Sequence, residues 1–288
     1  MSGAPDFYRD LASADIIINV PDEALRAAIV NAGLDTLDGA FAYRDGDDLH
    51  KPNLGTRRRT RVVLRDSSGR EWVLFLKRYG PEPFRRRLWK WMFSFGSIKN
   101  AAHVEFDAIT QTRAAGVPTM EALVFGQDGW YAGGRGGRSF LLVSAVPGEA
   151  LERQLDTLAG PQADATLAEK LAPSLADLVQ TFHRAGLVHR DLYASHIFLA
   201  RKGESFDLHL IDLARVFRPK WRTFRWRVKD LAALHFSLPQ EWRTRHWKNF
   251  LDHYLGDVTE KQTARWATAI EKKSRAMSRR AERKNKTG

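Results

Sequence analysis

The spacing of apolar residues changes character near Pro147-Gly148, and that change limits the folds open to this chain. Before it, the apolar segments have strand length: Asp15–Val20, a stretch around Ala40–Tyr43, Arg59–Arg65, Glu71–Tyr79, Ala122–Phe125 and Ser139–Val146. Asp66-Ser67-Ser68-Gly69 is rich in turn formers and predicts a hairpin between two of them. Two helices interrupt this half. One is entered at Pro21 with Asp22 and Glu23 in its first turn, and one covers Lys99–Ala115 and stops at Gly116. Beyond Pro147-Gly148 the period is helical. Asp164–Ala185 is a long amphipathic helix ended by Gly186, followed by two short apolar segments, His196–Ala200 and Phe206–Leu213. From Arg225 onward the chain reads as helix, broken at Pro239 and near Gly256. Strands first and helices later predict an α+β chain with a strand-rich N-terminal lobe and a helical C-terminal lobe. The expected division is an N-terminal extension (1–36), a strand-rich lobe (37–147), a helical catalytic lobe (148–270) and a frayed basic tail (271–288).

Composition removes several function classes. With no cysteine among 288 residues, disulfide scaffolds, thiolate zinc sites and cysteine nucleophiles are excluded. No apolar run approaches the roughly 18 residues that a membrane-spanning helix needs. The N-terminal segment lacks the apolar stretch of a secretory signal. A cytoplasmic protein, lying at most on a membrane surface, is expected. The formal charge of +12 is unevenly placed: residues 51–100 hold 14 basic and 3 acidic groups, and residues 201–250 hold 12 and 5. Two basic blocks suit an anionic partner or a solvated surface. No nucleic-acid-reading motif accompanies them, so no nucleic-acid partner is expected.

The chemistry-bearing residues form an ordered set. Between a predicted helix and a predicted strand lies LVHRDLYASHIFL (187–199), and LIDLAR (210–215) follows at the end of an apolar strand. The His189-Arg190-Asp191 triplet, His196 five places after Asp191, and Asp212 on that strand reproduce the protein-kinase catalytic pattern in degenerate form. Asp191 suits the proton of an attacking hydroxyl, and Asp212 suits a metal that bridges phosphates. His196 stands where such kinases carry a metal-binding Asn; imidazole can ligate a metal, although Mg²⁺ prefers oxygen. Lys77 ends the apolar strand WVLFLKRY (72–79), and Glu105 on the next helix is its natural partner. The phosphate loop is the poorest match, because Gly46 to Gly55 lacks the spaced glycines and leaves Arg57, Arg58 and Arg59 to contribute cations or remain a solvated run. His183 and His209 read as surface residues of a helix and a strand.

These residues, together with FLKRYG (75–80), VEFDAI (104–109), GVPT (116–119), LHLIDLARV (208–216) and KDLAAL (229–234), resemble the lipopolysaccharide core heptose and Kdo kinases over roughly residues 40–240. The resemblance implies a protein-kinase-like fold and an ATP- and Mg²⁺-dependent sugar kinase. Its substrate would be the lipopolysaccharide core or a related anionic glycolipid, met at the cytoplasmic surface of the inner membrane. It implies Asp191 as base, with Arg190 and His189 beside it, and Asp212 and His196 toward the metal. Lys77, Glu105 and Arg59 fall toward the nucleotide phosphates. Leu213-Ala214 after Asp212 departs from the protein-kinase pattern. A kinase-fold enzyme acting on another small molecule or a protein, and a catalytically silent relative, are the alternatives. Two cation–aromatic stretches fit a glycolipid at a membrane: RRRLWKWMF (85–93), and Arg218, Lys220, Arg222, Arg225 and Arg227 interleaved with Trp221, Phe224 and Trp226.

Overall fold

A computed structural model describes residues 15–49, 57–81, 100–128, 137–154, 165–203 and 205–287. The glycine-poor loop after Leu49 and the segment 85–99 lie outside the described residues. Two compact units result, one of residues 1–107 with 121–145 and one of residues 108–120 with 146–288.

The first unit is built on a six-stranded antiparallel sheet. Its members, in chain order with the intervening helices, are β1 (Asp15–Ile18), α1 (Glu23–Asn31), α2 (Leu37–Ala42), β2 (Asp47–Asp48), β3 (Arg57–Arg65), β4 (Glu71–Tyr79), α3 (Ala101–Ala114), β5 (Ala122–Gln127) and β6 (Ser139–Ser144). The spatial order is β1-β5-β6-β4-β3-β2. The β3–β4 hairpin is closed as the turn residues predict: Asp66 accepts from the amides of Ser68 and Arg70, and Gly69 takes φ +86°. Period-two alternation then sorts the side chains. Val62, Leu64, Leu74 and Leu76 point to a core shared with Leu25, Ile29 and Leu34, whereas Lys77 and Tyr79 project from the opposite face.

Residues 15–34 are therefore integral to the unit rather than an extension: β1 pairs with β5, and Leu25, Ala28 and Ile29 sit in the core. Asp22 caps α1 by accepting from the Leu25 amide at 3.0 Å, one position before the first turn. The stretch around Ala40–Tyr43, expected as a strand, is helix α2. Thr36 caps it by accepting from the Gly39 amide, and the buried pair Leu37 and Ala40 has the i, i+3 spacing of a helix face. Arg78 occupies the core face at 4% exposure. It donates to the Tyr43 carbonyl at 3.0 Å, to Thr60 Oγ1 at 2.5 Å and to Asp48 Oδ1 at 3.3 Å, holding residues 43–48 to the sheet.

Besides the end of α3, the described residues of the second unit form a short sheet, β7 (Glu149–Ala150), β8 (Ile197–Lys202) and β9 (Ser205–Leu210), and the helices α4 (Ala165–Arg184), α5 (Thr223–Ser237), α6 (Gln240–Leu255) and α7 (Glu260–Thr287). Leu171, Leu175 and Phe182 bury one stripe of α4, whose chain leaves through Gly186 at φ +77°. Trp242, Trp247, Phe250 and Tyr254 form the buried face of α6, with Trp247 stacked on Phe250 at 4.6 Å. Residues 271–287 continue α7 and are not a frayed tail: Ser274 is 3% exposed and bonded to His235.

Candidate active site

In the first unit, the site residues lie on the sheet face opposite the core cluster. Lys77 is in the central strand β4, and Glu105 reaches it from α3. The ammonium donates directly to Glu105 Oε1; Lys77 is 6% exposed and Glu105 fully buried. A buried ion pair holds only if its remaining lone pairs are satisfied. Tyr79 supplies that bond, donating its hydroxyl to Glu105 Oε2 at 2.6 Å. Burial, then the adjacent Glu105 charge, pushes the Tyr79 phenol well above its ordinary range, so it remains a donor at any physiological pH. Arg59 pairs with Lys77 in the β3–β4 register and Arg57 pairs with Tyr79, which puts two arginines beside the ion pair on that face. Gly46, at the start of the expected phosphate loop, packs against β3: a Cβ there would meet the Arg61 carbonyl oxygen at 2.5 Å.

In the second unit the loop of residues 189–196 and the residues after β9 are tied into one assembly. Asp230, fully buried on α5, accepts from the amides of His189 at 2.6 Å and Arg190 at 2.7 Å. His183 adds a third bond through Nε2 at 3.3 Å, and its Nδ1 accepts from the Tyr254 hydroxyl at 2.8 Å. These bonds hold Arg190 at φ +72°, a left-handed conformation that costs a non-glycine residue about 1–3 kcal/mol. His189 donates from Nε2 to the Ile211 carbonyl at 2.9 Å, and the Ile211 amide bonds the His196 carbonyl at 2.9 Å. Asp212, directly after Ile211, also has positive φ, +58°. Burial lowers the pKa of both His183 and His189, with Asp230 opposing, so both rings work as neutral hydrogen-bonding spacers.

This assembly presents Asp191, His196 and Asp212. His196 Nδ1 lies 2.7 Å from the Asp191 carbonyl oxygen, which can only accept, so the ring proton sits on Nδ1. The other ring nitrogen, Nε2, lies 3.7 Å from Asp212 Oδ2. A ring nitrogen and a carboxylate oxygen held this close are two ligands that a divalent cation could share. No cluster of three His, Asp or Glu ligands occurs among the described residues, so oxygens from bound phosphates would complete such a site. Asp191 Oδ2 accepts from Arg215 Nη1 at 2.6 Å.

Of the three residues expected at the reaction centre, only Asp191 offers its carboxylate to solvent. His189 is fully buried and acts through the backbone, and the Arg190 guanidinium lies 5.7 Å from the rings of both Phe217 and Trp226. His183, expected at a helix surface, is 1% exposed because it spans Asp230 and Tyr254; His209 is half-buried. Two members of the expected acceptor-facing cation set are committed to the fold: Arg218 bonds the Ala185 carbonyl and Arg227 the His183 carbonyl, at the negative end of α4. Lys220, Trp221, Arg222 and Arg225 remain exposed. Sequence reasoning missed Tyr79, Arg215 and the organising role of Asp230. For Asp230 a signal existed, a carboxylate set among the apolar residues of KDLAAL.

The core heptose(I) kinase WaaP of Pseudomonas aeruginosa is 34% identical over 141 residues, covering 47% of this chain and 52% of that protein. WaaP of Escherichia coli is 33% identical over 138 residues, 46% of this chain and 51% of its own length. The chain thus spans about half the length of the curated relatives it matches. A solved structure of WaaP in complex with acyl carrier protein matches with a TM-score of 0.66 and 27% identity over 91% of this chain and 98% of the other. The model of the lipopolysaccharide kinase (Kdo/WaaP) family matches residues 53–254, well over half of the sequence, and the chain belongs to that family.

Proposed function

We propose that the chain is an ATP-dependent kinase that phosphorylates a sugar hydroxyl, of heptose or Kdo, in the lipopolysaccharide inner core. The observation that carries this reading is the pairing of Asp191 with the His196–Asp212 couple on one hydrogen-bonded assembly. Asp191 accepts the proton of the attacking hydroxyl through Oδ1, the oxygen not bonded to Arg215. Asp212 and His196 are the residues that would hold Mg²⁺, which neutralises phosphate charge when bound. The Lys77 ammonium, oriented by Glu105 and Tyr79, binds phosphate oxygens of the nucleotide, with Arg59 beside it. Arg222, Arg225, Lys220 and Trp221 receive the anionic glycolipid and rest on the inner-membrane surface at its cytoplasmic side. An acyl carrier protein is a further partner on the strength of the structural likeness.

The test is transfer of label from γ-labelled ATP to a panel of acceptors: deep-rough lipopolysaccharide, a generic protein and an aminoglycoside. Label in the lipopolysaccharide alone is expected, and it should require Mg²⁺. Label confined to the protein or the aminoglycoside would replace this reading with a kinase for another acceptor. Absence of transfer to all three would refute it.

A further inference from the structure

The base and the five residues after it, DLYASH (191–196), contain no Lys or Arg, yet a cation reaches the base from outside them. Arg215 nevertheless donates to Asp191 Oδ2 at 2.6 Å from three residues beyond Asp212, and its side chain is 53% exposed. Lys229, on the first turns of α5, is half-buried and makes no hydrogen bond to a described residue; its ammonium lies 5.8 Å from the Trp226 ring. Burial lowers its pKa, the charges of Arg190 and Arg215 lower it further, and Asp191 opposes them. Asp191 thus has Arg215 bonded to it and Lys229 within electrostatic reach, while Asp230 is committed to the His189 and Arg190 amides and to His183. Excess positive charge beside a base is unfavourable in the resting protein. It becomes favourable when an anion enters next to that base.

We propose that Arg215 and Lys229 bind the phosphoryl group in transfer, with Arg215 exchanging its bond to Asp191 Oδ2 for bonds to the phosphoryl oxygens. In that step the acceptor oxygen forms its bond to the γ-phosphorus and the bond from that phosphorus to the β–γ bridging oxygen breaks. The hydroxyl proton passes to Asp191, and ADP leaves with the electron pair. In transfer the charge is spread over the equatorial oxygens, so a guanidinium that engages them only then lowers the barrier without tightening ground-state binding. Arg215 is then a catalytic residue. This inference rests on the kinase reading above.

The experiment measures kcat and both KM values for the full chain with ATP and core oligosaccharide, in wild type, Arg215→Ala, Arg215→Lys and Lys229→Met. Arg215→Ala should lower kcat by about 10²-fold or more with both KM values within roughly threefold, as for loss of a transition-state donor. Arg215→Lys should keep more activity than Arg215→Ala, and added guanidinium should restore part of the Arg215→Ala loss. Lys229→Met should fall by about tenfold or more in kcat. Because the Arg215–Asp191 pair is exposed, thermal stability of the Arg215 variants should match wild type. Wild-type kcat in Arg215→Ala overturns the inference and leaves the kinase reading intact. A rise in acceptor KM alone also overturns it, because Arg215 would then serve an anionic group of the acceptor. A wild-type chain that transfers nothing refutes the kinase reading and this inference with it.

Discussion

Replacing Asp230 with Asn keeps the shape of the side chain and removes the charge on which the loop of residues 189–196 is hung. Three donors converge on this carboxylate: the amides of His189 and Arg190, at 2.6 and 2.7 Å, and His183 Nε2 at 3.3 Å. An amide offers one accepting oxygen, so at least one of these donors meets an NH₂ group. Leaving one or two buried donors unsatisfied costs about 1–3 kcal/mol each, offset in part because the buried charge no longer has to be desolvated. The net destabilisation expected is about 2–4 kcal/mol, or roughly 4–16 °C in Tm at about 2–4 °C per kcal/mol. The conformational effect is more specific. Arg190 keeps φ +72° because Asp230 holds the amides at 189 and 190, and without that hold the residue relaxes toward an unstrained conformation. Asp191 moves with it. Calorimetry gives the first quantity, and amide hydrogen exchange at His189 and Arg190 gives the second. Exchange at these two amides should accelerate by more than the global loss of stability explains, and phosphoryl transfer should fall by about 10²-fold or more. A variant that melts within about 1 °C of wild type, with both amides still protected, would refute the role assigned to Asp230.

The buried ion pair can be tested for stability and function together: Lys77→Met should cost about 3–5 kcal/mol by stranding Glu105, and adding Glu105→Gln should restore part of the stability and none of the activity, read by thermal unfolding and ATP binding. His235 offers a pH test, since its pKa is depressed to about 4 from 6.5 by burial and then by Arg243. The unfolded chain takes up this proton first as pH falls, so the contribution of neutral His235 is complete above about pH 6.5 and is lost toward pH 4. Partial exposure of the ring reduces the full shift to about 1–2 kcal/mol, and His235→Gln should flatten the stability–pH curve in that window. Trp221, 80% exposed between Lys220 and Arg222, should anchor the chain at a lipid surface; Trp221→Ala should weaken co-sedimentation with anionic and with neutral vesicles alike, by roughly fivefold, because the indole contact does not depend on lipid charge.

The parts of this molecule that were legible in the sequence are those whose chemistry or period leaves few choices. β4 falls on Glu71–Tyr79 as alternation and the Asp66–Gly69 turn demand, and Lys77 meets Glu105 because a lysine on that strand must find a carboxylate on the facing helix. His196 and Asp212 come together because the loop of residues 189–196 and the chain after β9 share hydrogen bonds at Ile211. What was not legible depends on pairing between distant segments. His183 lies 47 residues from Asp230 and 71 from Tyr254, and each residue alone is compatible with a helix surface. The short segment around Ala40 misled because it is apolar over only four residues, a length at which strand and helix periods do not separate, and the deciding signal was the Thr36 cap. Arg218 and Arg227 looked like ligand cations until the carbonyl ends of α4 gave them partners.

Two of the three non-glycine residues with positive φ among those described, Arg190 and Asp212, are held from outside their own segments. Each takes a left-handed backbone that neither residue type prefers. Asp230 on α5 fixes the first through two amides. His189 fixes the second through the carbonyl just before it, and it is itself positioned by Asp230. One buried carboxylate therefore orders both loops in series, the second through a neutral imidazole. Such a chain of bonds transmits position without placing a competing charge near the metal-binding candidates, because burial keeps the His189 ring uncharged. A lysine or arginine in place of His189 would bring a permanent cation to the Ile211 carbonyl, within reach of Asp212, and would compete with any divalent ion for that carboxylate. The uncharged bridge adds no charge beside Asp212.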